Sequence, residues 1–211
     1  MTRFILAISM VFLFSQSHSQ RLSEKAEVTV ITIGPTQQEL YSAFGHSGFR
    51  VFDPVNGINS FYNYGVFNFN QPNFYINFTR GKLLYKLGVD DYDLYKQYYM
   101  RENRSITEQY LNLDQNQKQA VFDFLQENSK PENADYYYNY IYDNCATKIR
   151  DVLNESLDNK ISYDFGYAKD GYTYRQLMDL YLGQQLWGDL GIDICLGSQI
   201  DIKADGNGYM F

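Results

Sequence analysis

Apolar and polar positions alternate with period two through much of the first half of the chain, and fall into helical spacing in most of the second. Val28 to Ile33, within EVTVITIG, alternate and are β-branched, which predicts a strand closed by Gly34-Pro35. TQQELYSAF follows and predicts a short helix. GHSGFRVFD and FYNYGVFNF read as two strands around the Asn-Gly of PVNGINS, a hairpin. Two more strands are expected at Leu83–Leu87 and Ser105–Leu111, with a short helix near Asp91–Met100 between them. DQNQKQAVFDFLQEN is a helix that Asp114 can cap, with Ala120, Val121, Phe124 and Leu125 on one face. ADYYYNYIY is extended and aromatic. DNCATKIRDVLNESL predicts a helix with Asp143 or Asn144 at its N-cap. In it Cys145, Ile149, Val152 and Leu153 follow i, i+4, i+7, i+8, which puts the thiol on the buried face. TYRQLMDLYLG is a third helix, capped by Thr173. Repeats and low-complexity linkers are missing, so the pattern predicts one α+β domain.

The first residues change the picture of where that domain lives. MTRFILAISMVFLFSQSHSQ has a basic Arg3, an apolar run from Phe4 to Phe14 and small residues at Ser17 and Ser19. That is the layout of a secretory signal cleaved after Ser19, too short for a comfortable membrane span. Residues 1–19 are therefore expected to be a signal peptide, and 20–211 an exported domain. The chain stops at ADGNGYMF without a closing helix, as a piece of a longer protein would. A formal charge of −7 excludes nucleic acid, which needs a basic footprint. The 21 tyrosines suit half-wet strands and, less directly, a membrane–water interface.

Candidate chemistry gathers on few residues. Cys145 sits at or near a helix N-terminus, where unpaired N–H groups and the helix dipole favour a thiolate. A thiolate nucleophile wants an imidazole, and His46 is the only histidine left after cleavage. It starts a strand between Gly45 and Gly48, small neighbours that allow close approach. Both residues also have plain structural readings, as a core thiol and an ordinary hydrogen-bonded histidine. A third group should orient the imidazole, and Asn63 and Asn68 are the candidates. A hairpin symmetric about Asn56-Gly57 puts Asn63 on the face of His46 but roughly 13 Å along it. Asn68 is then adjacent and on the other face. Asn144 is either the helix cap or an oxyanion donor. Arg175 is read as a surface ion pair, with phosphate or carboxylate binding as the alternative, and Trp187 as a core residue, with lipid binding as the alternative. Cys195 is read as incidental; a disulfide to Cys145 is the other option an oxidising compartment offers. Zinc is not expected, since no ligands have metal spacing, and no cofactor is predicted.

FGHSGFRVFD, FYNYGVFNFNQPNFY, FTRGKLLYKL and YDNCATKIRDVL together resemble the Lnb N-terminal periplasmic domain family, and YTYRQLMDLYLG, WGDLGID and LGSQIDIKA resemble its C-terminal part. The resemblance covers residues 27 to 211. It implies a circularly permuted papain-like, NlpC-type α+β fold, an antiparallel sheet packed against helices, similar also to lecithin retinol acyltransferase-like enzymes. The order of His46 before Cys145 matches the permuted arrangement. The implied activity is apolipoprotein N-acylation at the outer face of the inner membrane. A phospholipid would be acyl donor and a lipoprotein's diacylglyceryl amino terminus the acceptor. The family's cysteine and histidine carry over to Cys145 and His46. Two rival readings stand beside it: a cysteine hydrolase or amidase of the cell envelope, and a non-catalytic lipid- or peptide-binding module.

Overall fold

Both faces of the first strand are buried, which places it inside the sheet. In β1 (Glu27–Ile33), Val28 and Val30 enter one core while Ile31 and Ile33 enter another. The computed structural model describes residues 20–67, 70–73, 76–77, 83–164 and 171–204. The expected signal peptide and Asn68 lie outside them. The remaining strands are β2 (His46–Asp53), β3 (Ile58–Phe67), β4 (Leu83–Asp91), β5 (Ile106–Tyr110) and β6 (Asp135–Tyr138). They form one six-stranded antiparallel sheet in the order β5-β1-β2-β3-β4-β6. Five helices accompany it among the described residues: α1 (Tyr92–Arg101), α2 (Gln115–Asn128), α3 (Cys145–Ser156), α4 (Tyr174–Leu182) and α5 (Leu186–Leu196).

Four of those helices begin where a polar side chain can take an orphan N–H. Asp91 accepts from Leu94, Asp114 from Gln117, Asn144 from Ala146 and Thr147, and Thr173 from Gln176. On one face of the sheet, α2 and α3 bury Val121, Phe122, Leu125, Val152 and Leu153 against Val30, Phe49, Val51 and Tyr62. On the other face α1 covers Ile31, Ile33 and Phe61 with Tyr92, Tyr95 and Tyr99. α4 and α5 build a third cluster around Tyr174, Met178 and Ile200, beside Ile141 and Tyr140.

Three expectations are corrected. TQQELYSAF makes only a single 3-10 turn, Leu40–Ser42, because Leu40 and Tyr41 point outward and leave it no apolar stripe to bury. Trp187 is not a core residue: it is 86% exposed on α5, a helix that the sequence pattern does not announce. That helix has no side-chain cap and carries Gly188 and Gly191, so its start signal is absent. The hairpin between β2 and β3 is also not symmetric about Asn56-Gly57. Its pairs are Asp53↔Ile58 through Phe49↔Tyr62, so the turn spans residues 54–57 and every cross-strand partner shifts by two.

Asp53 is the physical cause of that shift. Its buried carboxylate accepts from the N–H groups of Val55 and Asn56 and from the Asn56 amide, closing the wider turn. It also accepts from Ser23 N–H and Oγ at 2.7 and 2.6 Å, tying the amino-terminal segment to the sheet. Burial alone would push its carboxyl up; the Ser23, Asn56 and Val55 donors outweigh it and hold it down to about 2. Because the folded value is depressed, the stabilisation is complete above the ordinary value near 3.8 and is lost as pH falls through about 2. Asp53→Ala should therefore cost about 2–3 kcal/mol at neutral pH. Denaturant melts of the two proteins should converge in acid; a gap that stays constant to pH 2 would contradict this role.

Candidate active site

His46 opens β2 opposite Ile33, directly after a glycine that the turn requires. Gly45 has φ +77°, and a Cβ there would meet the Ile33 carbonyl at 2.8 Å. From His46 to Gly48 the strand pairs with β1 but not with β3, since the β2–β3 ladder ends at Phe49↔Tyr62. β3 meanwhile bulges against β4 between Asn63 and Val66. The shifted register and the bulge bring Asn63 onto His46: imidazole Nε2 and Asn63 Oδ1 are 2.8 Å apart.

The same Asn63 Oδ1 accepts from the Gly65 N–H at 2.8 Å. A backbone N–H can only donate, so the atom facing both groups is the amide oxygen. His46 Nε2 must then carry a proton, and the network assigns Nδ1 to the thiol side. Gly65 is what lets the ring lie there. A Cβ on it would sit 2.6 Å from His46 Cε1 and 2.9 Å from Asn63 Oδ1. Gly65→Ala should displace the imidazole and lower the rate of any His46-dependent reaction by about 100-fold. Its melting temperature should move by only a few degrees. Unchanged kinetics would show that the ring is not held in register by this contact.

Cys145 is the first residue of α3, and Asn144 is the cap that starts it. Asn144 Oδ1 accepts from Ala146 and Thr147 N–H, both at 3.0 Å, and Thr147 Oγ1 returns the bond from Asn144 N–H. The helix packs against β2 and β3. There the thiol hydrogen-bonds His46 and receives the N–H groups of Ser47 and Ala146. Burial by itself would raise the thiol pKa; the His46 charge and these hydrogen bonds outweigh it, and the net shift is downward. His46 mirrors this: desolvation lowers its pKa, the Cys145 charge and hydrogen bond raise it more, and the net shift is upward. The two groups thus favour a thiolate–imidazolium pair. Both keep a partly exposed edge.

Aromatic rings from β4 and β6 lie near enough to the sulfur to feel its charge. Tyr85, Tyr136 and Tyr138 all feel the Cys145 charge, and burial together with that charge raises all three hydroxyls, Tyr85 to about 12. Tyr85 stacks on Tyr138 with ring centroids 4.4 Å apart, and Tyr138 meets Tyr140 edge-on. The run YYYNY that read as a plain extended segment supplies most of this cluster.

Of the predicted site residues, the structure brings His46, Cys145 and Asn63 together. Asn144 lies beside them as a cap, and its Nδ2 is spent on the carbonyls of Tyr140 and Ile141. Asn68 is outside the described residues. Arg175 lies elsewhere, bonded to Asp193, Asp201 and the Gly197 carbonyl. Cys195 is exposed on α5, and both cysteines are free thiols. Ser47 and Gly65 had no signal in the sequence, since one acts through its backbone and the other by having no side chain. Among the described residues, Asp179, Asp189 and Asp193 gather their oxygens within 4.8 Å, and Arg175 already neutralises part of that cluster.

Comparison with known proteins adds one finding. The model of a family described as the Lnb N-terminal periplasmic domain matches residues 15–179, a span that includes His46, Asn63 and Cys145. No curated protein and no solved structure matches the chain.

Proposed function

The chain belongs to the Lnb N-terminal periplasmic domain family, and from that premise we propose that it is a thiol acyltransferase. It moves a fatty acyl chain from a phospholipid to the amino terminus of a diacylglyceryl lipoprotein. The family is associated with lipoprotein N-acylation and its domain is periplasmic. Among the described residues no helix is long and apolar enough to cross a membrane. In this reading the domain works at the outer face of the inner membrane, on a circularly permuted papain-like fold.

The observation that carries the proposal is the hydrogen-bonded line from Cys145 through His46 to Asn63. The Cys145 thiolate attacks the ester carbonyl, forming a carbon–sulfur bond. As the tetrahedral intermediate collapses, the carbon–oxygen bond breaks and His46 gives its Nδ1 proton to the departing alcohol. The product is a thioester on Cys145 and a neutral imidazole. The lipoprotein amine then attacks, the carbon–sulfur bond breaks, and Nδ1 takes the amine proton. An amide leaves and the thiolate–imidazolium pair is restored. Ser47 N–H, which no β3 partner uses, and Ala146 N–H flank the sulfur and suit the oxyanion of both intermediates. Asn63 holds the imidazole through Nε2.

The tyrosine cluster supports an acyl substrate over a polar peptide, because an alkyl chain packs on rings that a charged peptide would leave poorly solvated. The test is mass spectrometry of a diacylglyceryl lipopeptide incubated with the protein and phospholipid vesicles. One added acyl group as an amide is expected. Release of free fatty acid with the peptide unchanged would instead support the hydrolase reading.

A further inference from the structure

A surface helix ordinarily turns its apolar side inward. α5 does the opposite. Its exposed side chains are Leu186 at 74%, Trp187 at 86%, Leu190 at 47%, Ile194 at 72% and the Cys195 thiol, none of them charged. Leu186, Leu190 and Ile194 follow i, i+4, i+8 and make one stripe, with Trp187 and Cys195 beside it. Both charged residues of the helix are half-buried at its inner edge. Asp193 pairs with Arg175, and Asp189 lies next to it. Leu40, also exposed, lies against Gly188 and carries the patch towards the turn before His46.

Behind the stripe, Ile192 and Leu196 pack with Phe44, Tyr140 and Ile141. Phe44 stands just before the Gly45-His46 pair, and Tyr140 and Ile141 lie on the approach to Cys145. Tyr140 feels charge at Cys195 and meets Tyr138 edge-on at 5.4 Å, and Tyr138 feels the Cys145 charge. The apolar stripe therefore adjoins the reactive pair through the rings of Tyr140 and Tyr138.

We propose that this face of α5 docks the protein on the surface of a lipid bilayer of low net charge, next to the site where Cys145 meets its acyl donor. A continuous exposed apolar patch marks an interaction surface. Its size argues against a protein partner. Eleven residues make a face roughly 16 Å long and about 10 Å wide, far short of the about 800 Å² per partner that a stable protein interface buries. A bilayer asks for no more, since an interfacial helix sinks one apolar face about 5–10 Å into the headgroup boundary, with tryptophan suited to that depth. Charge sets the kind of bilayer. α5 carries no Lys or Arg to meet anionic lipid, and the chain has a formal charge of −7.

This inference rests on the acyl-transfer reading for its choice of occupant, because that donor lives in a bilayer, but its test needs no turnover. Trp187 is the only tryptophan of the chain, so its fluorescence reports this face whatever residues 4–14 do. Full-length Cys145→Ser protein is titrated with phosphatidylcholine vesicles, with and without added anionic phosphatidylglycerol. A blue shift is expected, with stronger quenching by lipids brominated near the glycerol end of the chain than near the methyl end. High salt should leave it unchanged, and phosphatidylglycerol should not strengthen it. Leu186→Gln with Ile194→Gln should lower the partition of the face about 100-fold, roughly tenfold for each side chain. Both positions are exposed, so the melting temperature should hold. Four results would overturn the proposal: no lipid-dependent shift, a shift that needs anionic lipid and disappears in salt, a double variant that inserts like its parent, or a blue shift that grows with protein concentration without lipid, which would make the occupant a second copy. Insertion by a protein that never forms a thioester would sink the reaction and spare the face. A thioester formed from a short-chain soluble ester, without insertion, would do the reverse.

Discussion

Replacing Cys145 by serine is expected to abolish acyl transfer, a loss of about 10⁴-fold or more, while the protein still folds. The sulfur is the one nucleophile that the imidazole contacts and that two backbone N–H groups address. A hydroxyl in its place keeps the shape of the site but has far too high a pKa for His46 to ionise it. No second thiol stands in, because Cys195 is exposed on α5. Cys195→Ser should accordingly retain activity within about twofold. Assay of both variants with a lipopeptide acceptor separates the two thiols. Activity lost in the Cys195 variant and kept in the Cys145 variant would move the chemistry to the wrong end of the molecule for this account.

His46→Ala is expected to cost about 10³-fold or more, through two effects that can be read separately. Removing the ring takes away the acid that protonates the leaving alcohol and the base that accepts the amine proton. It also takes away the charge that holds the thiol pKa below its ordinary value of 9.0. Thiolate absorbance in the ultraviolet, followed against pH, should therefore shift upward in the variant. The wild-type rate should be bell-shaped, rising as the thiol ionises and falling as the imidazolium loses its proton. Its limbs should lie below 9.0 for the thiol and above 6.5 for the imidazole, as values belonging to the pair. An identical thiolate titration in both proteins would mean that the imidazole does not ionise the sulfur. Asn63→Ala should act more gently, by about 10- to 100-fold, because it frees the ring without removing it.

The halves of the site differed in how far the sequence could disclose them. The residue types of Cys145 and His46, on a helix start and a strand start, were legible because each element announces itself by periodicity and capping. Their meeting was not, since it depends on how α3 packs against β2 and β3. Asn63 shows the limit most clearly. A symmetric hairpin left it roughly 13 Å from His46. The Asp53 turn shifts the register by two residues and halves that separation, and the bulge of β3 against β4 accompanies the final approach to 2.8 Å. A side chain far from the site thus sets its geometry, and nothing in local propensity discloses that. The succession of strands along the chain and the caps at Asp114 and Thr173 were readable because they are local. α5 was not: with two glycines and no cap, its helix shows no start signal and exposes Leu186, Trp187 and Ile194. The tyrosine cluster was visible only as composition until β6 paired with β4 and stacked Tyr138 on Tyr85.

The central claim is that the sulfur of Cys145 carries the acyl group between donor and acceptor. Intact-protein mass spectrometry after incubation with phospholipid vesicles and no amine tests it directly. One acyl chain should be found on Cys145, labile to hydroxylamine and absent from the Cys145→Ala protein. An unmodified Cys145 under conditions where the same preparation acylates a lipopeptide would contradict the account.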